Sequence, residues 1–288
     1  MSSAEQTTGR PVLRRVQYTI GIAASLVEVA GRWDLVRALV RRDLAVRYRK
    51  SALGVLWSML TPLLQMAILT FVMKYALGVS EPNLSVKILA GLIAWAYFEN
   101  SLLDSADCIV NNRDLVKKIY FPRPALPLSV VLGNTLHFGL SFVVLMLWLL
   151  LWVPGYRPTL QALWVLPLLV TQALLLAGLG MLLAATHTFY HDIKFVLAQL
   201  LRVLFFVTPV MFTADMVRIK LGAAASWLAP TYMYNPMATI IESYRRILFD
   251  HQRPEMALLL PVTAFAVLIF LVGYRVFLRA SWSFPEAI

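Results

Sequence analysis

The chain has 288 residues, of which 60% are hydrophobic and 14% charged. Because an ordinary soluble domain carries roughly 25% charged residues, this composition indicates a protein with several membrane-spanning segments. The net charge of +11 does not point to a nucleic-acid partner, since the cations stand in short segments beside apolar runs, as juxtamembrane cations do. Cys108 is the single cysteine, which excludes an intrachain disulfide and a paired-cysteine metal site.

The N-terminal segment, residues 1–54, contains a basic amphipathic stretch that we predict to be a helix. Its apolar residues recur at helical spacing, at Trp33, Val36, Leu39, Val40 and Leu44. Arginines fill much of the remaining surface, at Arg37, Arg41, Arg42, Arg47 and Arg49. This pattern is typical of a helix in the membrane interface, with its apolar face in the acyl boundary. A solvated helix packed on its own protein has the same pattern and stays an alternative.

Six apolar segments follow, each near the ~20 residues that cross a bilayer. We predict spans at about 55–77, 87–108, 126–153, 160–186, 195–212 and 256–278. The expected fold is therefore an all-α membrane protein, with a six-helix transmembrane domain over 55–280 and a short tail at 281–288. Most of the Lys and Arg residues then lie on the side of both termini, so the positive-inside rule places both termini in the cytoplasm.

Two polar segments interrupt the spans. The basic loop at 109–125 should form a short helix over residues 111–120, which the following prolines stop. We expect Leu115, Val116 and Ile119 on its apolar side and Lys117 and Lys118 on the other. The long external segment at 213–255 contains an amphipathic stretch, 232–249, that is too polar to span. We predict that this stretch either dips into the membrane from the outer side or lies on the outer face.

Two charges fall deep within predicted spans, Glu99 and Arg202. A charge at that depth is costly unless it has a partner, so we predict that Glu99 pairs with Arg202, which would remove both desolvation costs. Asp104 and Asp107 lie one turn apart near the inner end of the second span. With Glu99 they would suit an acid/base role in an intramembrane enzyme, although solvation at the interface explains these two carboxylates equally well.

Aromatic and histidine residues leave further alternatives open. Aromatic side chains in the first two spans either belong to the core and interfacial belts or stack on sugar rings in a channel, since pyranose faces are apolar. The candidates for the channel are Trp57, Trp95, Tyr97 and Phe98. His187 and His191 share a helical face, but too few other ligands lie near them in the predicted topology, so we expect no metal site. The chain has no GxxxxGK[ST] motif, hence no nucleotide cofactor of its own.

Four blocks carry a resemblance to a known family. They are RRDLAVRYRKSALGVLWSMLTPLLQM (41–66), NRDLVKKIYFPRPALPLS (112–129), HDIKFVLAQLLRVLFFVTPVMF (191–212) and YNPMATIIESYRRILF (234–249). In order and spacing, over residues 33–280, they resemble the permeases of type-2 ABC exporters that move lipid-linked polysaccharides. O-antigen, capsule and teichoic-acid exporters share these blocks. An exporter of drugs or small lipids stays an alternative, because a fold does not fix a substrate.

The resemblance implies a transport subunit without catalytic residues in the bacterial cytoplasmic (inner) membrane. It also implies that residues 234–249 belong to short external re-entrant helices before the last span. It implies a homodimer of permeases, surrounded by membrane lipids, that works with two copies of an ABC ATPase, which bind ATP and Mg. By block matching, the coupling contacts with the ATPase are Asn111, Asn112, Arg113, Asp114, Leu115, Lys117, Lys118 and Tyr120, with His191 and Asp192 in a smaller second contact. Many relatives have an arginine before the equivalent of Asp192, where this chain has His191.

We predict a role in substrate approach for the basic N-terminal helix. Arg41, Arg42, Arg47 or Arg49 would line the region where the diphosphate headgroup of the substrate approaches, since guanidinium groups suit phosphate recognition. Anchoring of the helix to the membrane by the same cations is the alternative.

Overall fold

The computed structural model describes residues 21–48, 56–79, 81–153, 156–213 and 235–288. Within these ranges the chain is helical and has no strand. The α-helices are α1 (Ile22–Gly31), α2 (Trp33–Tyr48), α3 (Leu56–Phe71), α4 (Leu84–Asp107), α5 (Arg113–Lys118), α6 (Ala125–Trp152), α7 (Val165–Phe189), α8 (Ile193–Val207), α9 (Pro236–Leu248), α10 (Met256–Ala280) and α11 (Phe284–Ala287). A π-helical turn extends α3, and short 3-10 turns stand before α5, before α7 and after α10 (Val72–Ala76, Val110–Asn112, Leu160–Trp164 and Ser281–Ser283).

Four stretches of the described chain are long and apolar enough to cross a membrane, namely Leu84–Asp107, Ala125–Trp152, Leu160–Phe189 and Met256–Ala287. They correspond to the second, third, fourth and sixth predicted spans. In the other two predicted spans, α3 and its π-helical extension cover residues 56–76, and α8 has 15 residues. The structure therefore confirms a helical membrane protein, and the count of six spans stays a prediction.

The helix pair α7 and α10 makes the most extensive contact in the bundle. A Cβ atom on Gly273 would overlap the carbonyl oxygen of Gly178, and one on Gly178 would stand 2.6 Å from the backbone of Ile269. On the neighbouring face, a Cβ atom on Gly180 would lie 2.7 Å from the hydroxyl of Ser105. Small residues let helix backbones approach closely in membranes, and Gly178, Gly180 and Gly273 allow that approach here.

The outer surface of the bundle is apolar. Large side chains such as Leu147 and Leu151 on α6, Phe206 on α8 and Leu268 on α10 are more than half exposed. In water such a surface would drive aggregation, whereas in a bilayer it faces lipid or another membrane helix. The exposed apolar faces therefore agree with the spans proposed from composition.

Helix α9 is amphipathic, as predicted, but it packs inside the protein against α4, α7 and α10. Its Arg245 is 2% exposed and donates hydrogen bonds to the backbone carbonyls of Lys87, Val210 and Phe212, at 3.1, 2.8 and 2.9 Å. These contacts tie α9 to the start of α4 and to the irregular segment after α8. A Cβ atom on Gly91 would stand 2.9 Å from Nη2 of Arg245, so this glycine makes room for the guanidinium.

Candidate functional site

One end of the bundle carries both the 109–125 loop and the loop between α7 and α8, and we call it the basal end. A hydrophobic cluster, the basal cluster, joins α1, α2, the loop after α4, α7, α10 and α11 there. Its buried members are Val29, Val36, Leu39, Val40, Cys108, Ile109, Val116, Phe121, Ala125, Leu126, Met181, Ala184, Ala185, Tyr274, Phe277 and Phe284. Loops and helix ends that are distant in sequence therefore share one packed core.

Helix α2 packs its apolar face on the basal cluster. Val36 and Leu39 are 1% and 4% exposed, whereas Trp33 is 44% exposed and has the guanidinium of Arg37 5.9 Å from its ring centroid. The inner ends of the spans therefore cover Val36 and Leu39, and the placement of α2 in the membrane interface stays a prediction. The packing of these two residues agrees with the alternative, a helix packed on its own protein.

Helix α5 presents a charged surface above a buried anchor. Val116 is 3% exposed and Leu115 is partly buried, while the four charged residues of the helix point outward, namely Arg113, Asp114, Lys117 and Lys118. The side-chain amide of Asn112 donates to the carbonyl of Cys108 at 2.7 Å and so fixes the entry to the helix. Asn111 is exposed beside it.

The chain becomes extended at Ile119, with φ −126° and ψ 135°, because the segment must run straight towards Pro122. Ile119 and Tyr120 are consequently 57% and 66% exposed. The prediction that Ile119 lies on the buried side of the helix is therefore wrong, since the helix ends one residue before it. The two side chains add an exposed apolar patch beside the cations of α5.

The second basal loop exposes His191 and Asp192, and it is tied to the end of α4 by Asp107. The carboxylate of Asp107 accepts a hydrogen bond from Nζ of Lys194 and lies 3.2 Å from Nε2 of His187. The rings of His187 and His191 are 5.8 Å apart. No group of three potential metal ligands occurs in the described ranges.

Asp104 joins three helices through a polar network. Nη2 of Arg47 donates to Oδ2 of Asp104, Nη1 of Arg47 donates to Asn134 at 3.1 Å, and the Asn134 amide donates to Asp104 at 3.0 Å. The network links α2, α4 and α6. Because Asp104 and Asp107 both have cationic partners, their charges need no acid/base role to explain them.

The other arginines of the basic segment differ in their surroundings. Arg41 is exposed, and Arg42 pairs with the adjacent Asp43 at 2.8 Å. Arg49 lies outside the described residues. A cavity of about 580 Å³ opens beside Arg42 and Arg47 and is also lined by His137.

The pairing predicted between Glu99 and Arg202 is wrong. A carboxylate oxygen of Glu99 accepts a hydrogen bond from Nε1 of Trp95 at 3.1 Å, whereas Arg202 is exposed on α8 and donates to Gln199 at 3.3 Å. Similar depth along the bundle says nothing about the direction in which each residue faces around its helix. The two residues belong to separate environments within the described chain.

The aromatic residues proposed for a channel are buried within the protomer. Trp95, Tyr97 and Phe98 are 3%, 3% and 7% exposed. Trp95 packs against Phe98 and Phe205, with ring centroids 5.2 and 5.7 Å apart. Such burial does not fit a role in lining a channel, and we assign these three residues to the core. The side chain of Trp57 lies outside the described part of the chain.

The C-terminal tail is packed against the basal end, which the sequence reasoning missed. Phe284 is completely buried, with its ring centroid 5.3 Å from that of Phe277 and 6.1 Å from that of Phe189. The guanidinium of Arg123 donates to the backbone carbonyl of Ser281. The aromatic SWSFP run after the last span was the available signal, since a freely solvated tail has no need of apolar side chains.

Comparison with known proteins identifies relatives of this chain. Residues 34–249 match the family described as ABC-2 type transporter. The chain is 31% identical over 256 residues to the O-antigen export system permease protein RfbA of Klebsiella pneumoniae. The aligned region covers 88% of this chain and 95% of that protein. The chain is 30% identical over 254 residues to RfbA of Myxococcus xanthus, with coverage of 88% and 95%.

A more distant relative is the polysialic acid transport protein KpsM of Escherichia coli, 24% identical over 249 residues, which are 84% of this chain and 92% of that protein. These matches confirm the resemblance that the four sequence blocks carry. The family match spans most of the chain, and the relatives align with it nearly from end to end. The chain therefore belongs to the ABC-2 type transporter family.

Proposed function

We propose that the protein is the permease subunit of an ABC transporter that exports a lipid-linked polysaccharide across the bacterial cytoplasmic membrane. The observation that carries this proposal is the match to permeases named for O-antigen export, which extends over 95% of their length. A relative named for polysialic acid transport points to the same substrate class. The energy comes from ATP hydrolysis in a separate ATPase subunit, which binds ATP and Mg.

The assembly that suits this function contains two permeases and two ATPases. Each permease has six spans and cytoplasmic termini, with re-entrant helices in the 213–255 segment at the outer side. Residues 214–234 of that segment lie outside the described part of the chain. The basal end then faces the cytoplasm, which agrees with the concentration of Lys and Arg residues in the segments on that side. The exposed apolar faces of α3 and α8 offer surface for lipid and for the second permease.

Helix α5 is the main contact with the ATPase in this proposal, and the loop at His191 and Asp192 is the second. The arrangement supports a mechanical role, since the cations on α5 are exposed while Val116 is held in the basal cluster. When ATP binding brings the two ATPases together, a displacement of α5 is transmitted to α7 and α10 through that cluster. Packed interiors transmit such displacements because they have low compressibility.

The basic helix α2 contributes to substrate entry in the same proposal. Arg41 and Arg42 are exposed and suited to a diphosphate headgroup. Arg47 already donates to Asp104 and Asn134, so it serves mainly to hold α2 against the spans.

The test is a mild-detergent pull-down of the tagged chain from its native membrane, with identification of the co-purifying proteins and an assay of ATP hydrolysis. We expect a P-loop ATPase in equal stoichiometry, and stimulation of its hydrolysis by the lipid-linked glycan. A chain that purifies without an ATPase and shows turnover of its own would overturn the proposal. Stimulation by drugs or small lipids alone would leave the transporter assignment and overturn the substrate.

A further inference from the structure

A second cavity at the basal end, of about 400 Å³, lies between α1, the exit of the 109–125 loop and the end of α10. Arg123 lines it from the loop, and Arg275 and Arg279 line it from α10. Trp282 and Glu28 also line it. The proposed coupling and substrate roles use none of these five residues, and the cavity borders the coupling surface at Tyr120.

The charge balance of this cavity favours an anion. Arg275 and Arg279 are four residues apart and therefore neighbours on one face of α10. Both are exposed, and neither has a carboxylate within 4.0 Å in the part of the chain that the structure describes. Among the described lining residues a single carboxylate, that of Glu28, stands against three guanidinium groups.

The side chain of Arg123 is held in place at the wall of this cavity. It is partly buried and donates to the backbone carbonyl of Ser281, which fixes its guanidinium at the wall of the cavity. Burial lowers the pKa of Arg123, yet the pKa of an arginine starts so far above neutrality that the side chain stays charged at neutral pH. A guanidinium has five N–H donors, so donors remain for a ligand.

The position of the cavity along α10 indicates where the anion comes from. Leu268, Leu271 and Val272 are exposed on the apolar part of the helix, and the two arginines follow directly after it. Cations at the end of a span lie at the level of the lipid headgroups. Trp282 is an amphipathic aromatic residue of the kind enriched at that level.

We propose that this cavity binds the phosphate of an anionic phospholipid from the adjacent leaflet. The phosphate oxygens accept from Arg275 and Arg279 on the span and from Arg123 on the loop, with geometry that guanidinium groups favour. The lipid thereby joins the exit of the 109–125 loop to the last span. This inference goes beyond the proposed function, and it holds whichever substrate the transporter moves and whether or not an ATPase is bound.

The test uses the full-length chain, purified in detergent and reconstituted in vesicles of phosphatidylcholine. The vesicles are prepared with and without about 20 mole per cent phosphatidylglycerol. Tightly bound phosphatidylglycerol is measured by mass spectrometry after re-extraction. We expect Arg275→Gln with Arg279→Gln to weaken retention by about tenfold or more, from the contribution of each cation near an anionic surface. The matched control, Arg157→Gln with Arg253→Gln, removes two exposed cations from the opposite end and should retain the lipid.

Further arms separate the possible outcomes. Arg275→Lys with Arg279→Lys keeps both charges and should keep most of the bound lipid, which guards against a general defect in folding. Equal retention by the Gln variant and the wild type would overturn the proposal. Binding of inorganic pyrophosphate by a wild-type chain that retains no phosphatidylglycerol would overturn it as well, because the cavity would then be a site for free phosphate. Since no arm requires an ATPase, a failure of the proposed function leaves this result unaffected.

Discussion

Arg245 is the residue whose environment departs most from its sequence context. It stands in an amphipathic segment beside Arg246, and both resemble external cations in the sequence. In the fold the guanidinium is enclosed and satisfies the carbonyls of Lys87, Val210 and Phe212. Buried carbonyls of an irregular segment need donors, and one arginine supplies them for the segment after α8.

We therefore expect Arg245→Gln to destabilise the protein by about 3 kcal/mol or more, because hydrogen bonds from a charged group contribute about 1.5–3 kcal/mol each. Arg246→Gln is the matched control. Arg246 is more exposed than Arg245 and pairs with Glu255, and exposed ion pairs contribute about 0–1 kcal/mol to stability. The thermal aggregation midpoint in detergent measures both variants, and equal shifts would show that the buried contacts carry no special weight.

At the scale of elements, the packing of α7 on α10 depends on the absence of side chains. We expect Gly273→Ala to lower the thermal midpoint in detergent, because the added methyl group overlaps the carbonyl of Gly178 and overpacking costs about 1–3 kcal/mol. Gly139→Ala is the control, since a Cβ atom there meets no atom within 4 Å. A Gly273→Ala protein as stable as the control would mean that the helices separate without cost.

Helix α11 ties the tail to α5 and α7, which it contacts directly. We predict that Phe284→Ala loosens α5, because a buried Phe to Ala change costs about 3–5 kcal/mol in a packed core. The measurement is limited trypsin digestion, followed as the rate of cleavage after Arg113, Lys117 and Lys118, which should rise.

Two further variants test whether the faster cleavage comes from the loss of the Phe284 side chain. Ser283→Ala alters an exposed neighbour and should digest like the wild type, whereas Phe284→Leu keeps most of the volume and should restore much of the protection. If Phe284→Ala leaves the cleavage rate unchanged, the tail does not hold α5 in place.

The sequence predicts which segments form helices better than it predicts which side of each helix is buried. A run of about twenty apolar residues has one plausible structure, so α4, α6, α7 and α10 follow from composition alone. In such helices apolar residues occur on all sides, and periodicity does not reveal whether Trp95 faces a channel or the core. The Glu99 and Arg202 hypothesis failed for the same reason, because depth was predictable and direction was not. The exposure of Ile119 depended on a helix end, which sequence patterns locate poorly.

At the scale of the whole molecule, the basal end combines a rigid core with exposed contact residues. Val116, Phe284 and the inner ends of the spans pack in one cluster, and the polar contacts of Asp104 and Asp107 tie α2 and the second loop to α4. A force applied at α5 therefore reaches several helices at once. This organisation suits a permease that receives mechanical work from a partner subunit.

The proposed coupling surface can be tested without disturbing that core. Arg113 and Lys117 are exposed on α5, so Arg113→Glu with Lys117→Glu should leave the amount of permease in the membrane unchanged. The reversed charges should weaken docking of the ATPase, and we expect export and stimulated ATP hydrolysis to fall by about tenfold or more. Arg157→Glu with Arg253→Glu makes the same charge change at the opposite end and should have little effect. Normal export by the α5 variant would refute the assignment of α5 as the coupling helix, whereas a loss in both variants would indicate a response to net charge alone.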